Sequence, residues 1–376
     1  MVEIAGKYIL LLFILSYASC ARSEVTPSVT DQDCLRILDI NIWSGLDYQG
    51  YIKMGEYEPD SVREKRYRAL VTQIRQLDPD IIGVHEANKL PRYAKRLAKD
   101  IGYEAYWHVG VGGVRLGRVG LPWNLREGDA ILVKRHLDPQ LVGRKQLSGG
   151  YVGKWATFHL SDATQVIAVK ITLQGKPVYV FATHWHASWS DAPCMLEKAE
   201  DLRNAGEITE EEYQNILEQI KEGIDWRLSE SEKTIEFIRE TAKDNLFILM
   251  GDFNSEAGSR EIRNLINHGM VDVFQYANPG IPGFTWDPAT NLNQQEHYMK
   301  ESSAEKDINV YTVFENFSRN ISKRIDYIFL GPASLLAAEK VVIKSSEVVM
   351  KDVIDGVQAS DHYGIFAEIE LKRVKE

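Results

Sequence analysis

A handful of short stretches carry residues of the kinds that bind metal ions or move protons, and each lies against an apolar, branched run. Asn41 closes LRILDIN, Glu86 follows IIGVH, and His184 follows VFAT. Asp252 and Asn254 follow FILMG, Asp326 stands in RIDYIF, and Asp361-His362 precedes YGIFAEI. A carboxylate only accepts hydrogen bonds, an amide donates and accepts, and an imidazole changes charge near neutral pH. Together such groups can hold a hard cation, orient a water and pass a proton. One of them at a strand end would be unremarkable, because Asp and Asn also close strands as Asx turns. Their recurrence predicts a single cleft, since sheets bring strand ends to a common rim. Within GDFN, residues two apart in an extended chain point the same way, which predicts Asp252 and Asn254 in the cleft and Phe253 in the core.

The elements that must position these residues are legible from periodicity and breakers. Strands are predicted over 35–42, 81–84, 130–134, 165–172, 178–183, 247–250, 325–330 and 365–371, and helices over 61–77 and 90–101. A long charged segment over 195–244 has helical spacing of Ile216, Ile220, Ile224, Ile235 and Ile238. Strands interleaved with helices over one long domain predict an α/β or α+β layered fold. The glycine-rich stretch 110–120, GVGGVRLGRVG, lacks the Lys-Ser/Thr of a phosphate cradle and reads as a flexible cleft-side loop whose Arg115 and Arg118 contact an anionic substrate.

The chain has 376 residues, 44% hydrophobic and 26% charged, enough for a large core, with no linker or repeat to divide it. With 54 acidic against 44 basic residues the net charge is -10, which disfavours broad attraction to nucleic acid or anionic membrane. A bound divalent cation would invert that field locally. The apolar run YILLLFILSYA at 8–18 is short for a membrane span and reads as a secretory signal peptide over 1–20, followed by a polar lead-in over 21–34. The expected location is therefore secreted or extracytoplasmic, lipid-anchored through Cys20 if the chain is a bacterial lipoprotein. Cys34 and Cys194 form either one disulfide or two free thiols, and Asn316 and Asn320 are glycosylation acceptors in a eukaryotic secretory pathway.

In this order, the stations resemble the endonuclease/exonuclease/phosphatase superfamily, which includes deoxyribonucleases, abasic-site endonucleases, inositol polyphosphate 5-phosphatases and neutral sphingomyelinases. The resemblance spans residues 35–371, with a helical insertion at about 187–244. It implies a DNase I-like four-layer α/β sandwich, two packed mixed β-sheets flanked by helices, that hydrolyses phosphate esters with a divalent metal: magnesium, with manganese or calcium as alternatives. Carried over, Glu86, Asn41 and Asp361 belong to the metal site. Asp252 and Asn254 position the attacking water and the phosphate, and His362 is the terminal histidine oriented by Asp326. His184 matches a second histidine of the nuclease and sphingomyelinase branches, with Glu127 as its expected partner. His85 departs from the pattern, standing where Gln is common, and Trp43 replaces a small or polar residue. GFTWDPATNLN at 283–293 is similar to a segment of bacterial sphingomyelinases. The expected function is a secreted sphingomyelinase-type phosphodiesterase, with a DNase I-like endonuclease and then an inositol phosphate phosphatase as alternatives, and a catalytically silent binding protein of the same fold as the non-enzyme one. The implied substrate is a phosphodiester, in a phospholipid headgroup or nucleic acid, handled by a monomer without a stable protein partner. Trp185, Trp189 and Trp226 read as packing for the inserted helices, with an aromatic rim as the alternative, and His186 as a surface histidine.

Overall fold

The computed structural model describes residues 34–43, 45–47, 56–111, 113–116, 119–120, 126–148, 151–152, 156–159, 164–295 and 310–372. The leader, Cys20, nearly all of the lead-in and Arg118 lie outside the described residues. Two six-stranded sheets dominate Asp33–Glu376. The first runs, edge to edge, Val341–Val349, Gly364–Leu371, Cys34–Asn41, Ile81–Ala87, Glu127–Lys134 and Tyr103–Val111. The second runs Val271–Asp272, Asp326–Gly331, Phe247–Asp252, Lys176–His184, Gln165–Leu173 and Gln140–Gln146. Each is mixed: Cys34–Asn41 pairs parallel to Ile81–Ala87, and Lys176–His184 parallel to Phe247–Asp252, while the other pairings are antiparallel.

Alternation along the strands explains the layers. Ile37, Ile81, Ile131 and Val133 of the first sheet meet Ile167, Val180, Ile248 and Ile328 of the second in one dry cluster. The intervening residues of the first sheet, such as Leu38, Ile40, Ile82 and Val84, pack outward against Leu70 and Ile74 of helix Asp60–Leu77 and Leu97 of helix Arg92–Ile101. Outward residues of the second sheet, Phe181, Phe247 and Leu249, meet Ile235 and Ile238 of helix Glu210–Ala242 and Ile262 and Leu265 of helix Arg260–Asn267. Helix, sheet, sheet, helix is the expected sandwich.

One sequence reading changes and two are refined. The segment expected as one helical stretch over 195–244 is two helices, Pro193–Asn204 and Glu210–Ala242, which share an apolar cluster around Met195, Leu202 and Ile220 with Phe314 of helix Val310–Arg319. The second helix opens on a capping box in which the Thr209 side chain accepts from Glu212 N at 3.2 Å and Glu212 returns a bond to Thr209 N at 2.8 Å. The stretch expected as a flexible loop contains Gly113–Leu116 and Val119–Gly120, antiparallel strands of a separate four-stranded sheet, with Arg115 paired to Gly120. Finally, Cys34 and Cys194 form no disulfide with each other, so that alternative is not the one adopted.

Candidate active site

The inward-facing positions that build the apolar core turn polar at one end of the sandwich. In Cys34–Asn41 the inward series Leu35, Ile37 continues to Asp39 and Asn41; in Phe247–Asp252 the series Ile248, Met250 ends at Asp252. Strand pairing then aligns the rest. His184 lies opposite Asp252 in the parallel pair, and Asp252 opposite Asp326 in the antiparallel one, so three functional side chains stand in a row across the second sheet. Asn41 faces them from the first sheet, its Nδ2 donating to Asp252 Oδ2 at 3.0 Å and to Glu86 Oε1 at 2.9 Å. Its carbonyl oxygen accepts from Trp43 N at 3.0 Å, so the amide is placed as a bridge between two carboxylates.

Glu86 reaches this row through an irregularity. Plain alternation would send it to the helix side with Val84. A register shift between Val84 and Ala87, and φ 56° at Glu86, redirect the chain end. Asn254 also departs from the extended geometry expected of it: the strand ends at Asp252 and Asn254 has φ 47°. The turn is an Asx turn, with Asn254 N donating to Asp252 Oδ1 at 2.9 Å, and it still delivers the amide to the cleft. Asn254 Nδ2 meets His184 Nε2 at 3.1 Å and donates to Trp185 O at 2.9 Å. Phe253 is fully buried against Trp185 and Tyr327, as expected. Left-handed backbone at a residue with a side chain costs ~1–2 kcal/mol. Trp43, at φ 46°, Glu86 and Asn254 all carry it at this rim.

Asp252 is the junction. His184 Nε2 and His362 Nε2 approach its Oδ2 at 3.6 and 3.8 Å. Burial would raise its pKa, but His362, His184, the Asn41 amide and the Asn254 backbone hold it below the ordinary carboxylate value. His362 Nδ1 lies 2.9 Å from Asp326 Oδ2. Burial opposes charge on this ring, yet the Asp326 carboxylate and its hydrogen bond, with Asp252 and Asp361, raise the pKa to about 10. His184 is also raised, burial being outweighed by Asp252, Glu86 and Asp129. Asp252 therefore takes the partner's place that Glu127 was expected to fill. Asp361 stands outside both groups of potential metal ligands, which are Glu86, His184 and Asp252, and Asp252, Asp326 and His362. Its Oδ1 accepts from Ser360 Oγ at 3.2 Å, and its charge acts on His362. Arg115 lies in the strand Gly113–Leu116.

The donor chemistry fits a hard cation at the Glu86–Asp252 edge: two carboxylates converge there with one neutral amide between them, while Asp326 is committed through Oδ2 to His362 and keeps only its buried Oδ1 without a hydrogen bond. Several supporting contacts could not be read from the sequence. Beneath the row, fully buried His85 bonds Asp39 Oδ1 at 2.8 Å and Asp129 Oδ1 at 3.0 Å, and Gln165 Nε2 donates to Asp129 Oδ2 at 2.5 Å. Burial works against the His85 charge, but the two carboxylates raise its pKa well above the usual value. Thr285 Oγ1 accepts from the backbone N–H groups of Ile325 and Asp326, at 3.2 Å each, and the Trp286 ring packs edge-on to His362 with centroids 5.1 Å apart. The 283–293 segment thus braces the Asp326–His362 pair. Half-buried Lys323 packs near the Trp286 ring; burial depresses its pKa, against the pull of Glu256, Glu315 and Asp252. A cavity of about 220 Å³ is lined by Ile42 and Trp43, the residues that follow Asn41 in the chain, and by Arg63, Arg66, Tyr67 and Asn88 among others.

The sequence matches the Endonuclease/Exonuclease/phosphatase family over residues 40–362. The chain belongs to that family. No curated protein sequence matches it. Among solved structures, this endonuclease/exonuclease/phosphatase chain resembles a family member from Bacteroides vulgatus, at 16% identity and TM-score 0.55 over 90% of this chain and 99% of that one. It also resembles D. rerio TDP2 complexed with single-strand DNA product, at 16% identity and TM-score 0.52 over 90% and 99% of the two chains. The mannosyl-6-phosphatase of Bacteroides thetaiotaomicron matches at 16% identity and TM-score 0.52, over 89% and 99%. At such identities these likenesses establish the shared fold; the family match establishes a phosphoesterase.

Proposed function

We propose that the protein is a divalent-metal-dependent phosphodiesterase that works outside the cytoplasm on a phospholipid headgroup of sphingomyelin type. The observation that carries the phosphodiesterase reading is the junction at Asp252, where one buried carboxylate, held ionised, is faced by Asn41, Asn254, His184 and His362 from four different strand ends. Glu86, seconded by Asp252, would hold the cation, which when bound neutralises the phosphoryl oxygens and the departing alkoxide. Asp252 accepts a hydrogen bond from a water and aims it; Asn254 turns one Nδ2 hydrogen to a phosphate oxygen, without adding repulsion, once protonation of His184 ends its acceptance of that bond. His362, kept protonated by Asp326, donates to the phosphate, and His184 does so from the other side.

Net charge of -10 and the apolar leader sequence support an exported enzyme acting on a lipid rather than on polyanionic DNA. The DNA product held by D. rerio TDP2 supports nuclease activity as the second reading. Purified protein offered labelled sphingomyelin, plasmid DNA and a soluble inositol polyphosphate, with magnesium or with EDTA, separates them. Magnesium-dependent release of phosphocholine is expected. Cleavage of DNA alone would replace the lipid reading, and inertness towards all three would remove the enzyme.

A further inference from the structure

The chain directly after His184 is gripped by one face of the helix Glu210–Ala242. Glu230, completely buried, accepts from His186 N through Oε2 at 2.9 Å and from the Thr164 hydroxyl through Oε1. Arg227, 1% exposed, donates through Nη1 to Ser188 O at 3.3 Å and to the Ser188 hydroxyl, and through Nη2 to Trp189 O at 3.4 Å. Its Nε is occupied by Glu261 Oε1 at 3.0 Å. One turn earlier, Gly223 makes room: a Cβ there would stand 2.0 Å from Ser188 Oγ. On the same face the Trp226 ring stacks on His186, centroids 4.2 Å apart and planes 8° from parallel. Residues 223, 226, 227 and 230 recur at helical spacing, so one stripe of the insertion meets one loop. From its other side the loop is tied to the catalytic turn, Trp185 N donating to Asp252 O at 3.0 Å and Trp185 O accepting from Asn254 Nδ2.

We infer that the inserted helix is a clamp that sets the position of His184 against Asp252 and Asn254, with Gly223, Arg227 and Glu230 as positioning residues. The inference rests on reading His184 as part of the phosphoester site. The apolar cluster of the insertion could hold its helices together without this face. A buried acid and a buried arginine directed at backbone groups of a single loop do what packing cannot: they fix the loop in one place and orientation. Because Arg227 and Glu230 act through the loop, they should alter turnover more than substrate affinity, by ~10–100-fold, as outer partners of catalytic groups do.

The test uses Glu230→Ala, Glu230→Gln and Gly223→Ala in the full chain, with two readouts. Hydrolysis of bis(p-nitrophenyl) phosphate in magnesium gives kcat and KM, and the ring-nitrogen NMR signals of His184, in the metal-free protein at one pH, report its placement without any turnover. The clamp predicts displaced His184 signals and a ~10–100-fold lower kcat, with KM little changed, in Glu230→Ala and Gly223→Ala. Glu230→Gln, which keeps an acceptor for His186 N, should restore both. A merely structural helix would lower thermal stability in these variants and leave the His184 signals in place, which overturns the inference. If wild type itself does not turn over the probe, the His184 signals still decide the clamp, and the phosphoester reading fails separately. Arg227→Met combined with Glu261→Gln removes the buried pair without leaving a lone charge and should repeat the Glu230→Ala pattern; unmoved His184 signals there would also overturn it.

Discussion

Replacing Asp326 by Asn keeps the size and the acceptor facing His362 Nδ1 while removing one buried charge. The ring's rise from 6.5 to about 10 corresponds to ~5 kcal/mol of preference for the imidazolium, net of the penalty for burying it. Asp326 is the leading favourable contributor, through both its charge and the 2.9 Å hydrogen bond, with Asp252 and Asp361 behind it. Without the Asp326 charge, desolvation should weigh more heavily against Asp252 and Asp361, and the titration of His362 should fall well below that of wild type. Two measurements follow on the metal-free protein: the NMR titration of the His362 ring, and folding stability against pH. The sign is set by a folded pKa above the unfolded one, so the pair's stabilisation is complete below 6.5 and fades as pH rises through about 10. The stability gap between wild type and Asp326→Asn should therefore be widest at about 6.5 and just below, while Asp326 is ionised, narrow through neutrality and close as pH passes about 10. At pH 7 with magnesium, loss of the protonated donor should lower kcat by ~10²–10⁴-fold. A ring in Asp326→Asn that still titrates above 9, or a gap that widens with rising pH, would refute the reasoning.

Glu86→Gln should weaken manganese binding by at least ~10-fold, read by paramagnetic resonance of the free ion, while leaving the fold intact; unchanged affinity would remove Glu86 from the cation site. Arg324 is a buried cation held by Asp272 through two bonds of 2.9 and 2.7 Å, so Arg324→Met should cost ~3–5 kcal/mol in urea unfolding, by stranding the carboxylate. Thr285→Val leaves the N–H groups of Ile325 and Asp326 without their acceptor; a stability loss of ~1–3 kcal/mol together with reduced kcat is expected, and wild-type kcat would show that the brace does not reach His362.

Much of this site is visible in sequence because strand periodicity and site geometry are the same fact: Asn41, His184, Asp252 and Asp326 are the polar ends of inward-facing series. What breaks periodicity could not be read. The register shift that redirects Glu86 and the left-handed turn at Asn254 depend on neighbours from other strands. His85, Asp39 and Asp129 look like unrelated polar letters until the first sheet sets them side by side. The edge strand Gln140–Gln146 is too exposed to alternate, and the strands Tyr103–Val111 and Val341–Val349 likewise escaped the pattern of apolar runs. The grip of the long helix on the loop after His184 joins residues about forty positions apart through main-chain groups, whose partners leave no trace in composition.

The central claim, that Asp252 and Glu86 form one cation-assisted hydrolytic centre, is tested most directly by the initial rate of bis(p-nitrophenyl) phosphate hydrolysis as magnesium is titrated back into EDTA-treated protein, for wild type and Asp252→Ala side by side. The wild-type rate should rise to saturation with magnesium, and the Asp252→Ala rate should stay near background at every concentration. A rate that ignores magnesium, or an Asp252→Ala enzyme that keeps pace with wild type, would contradict the account.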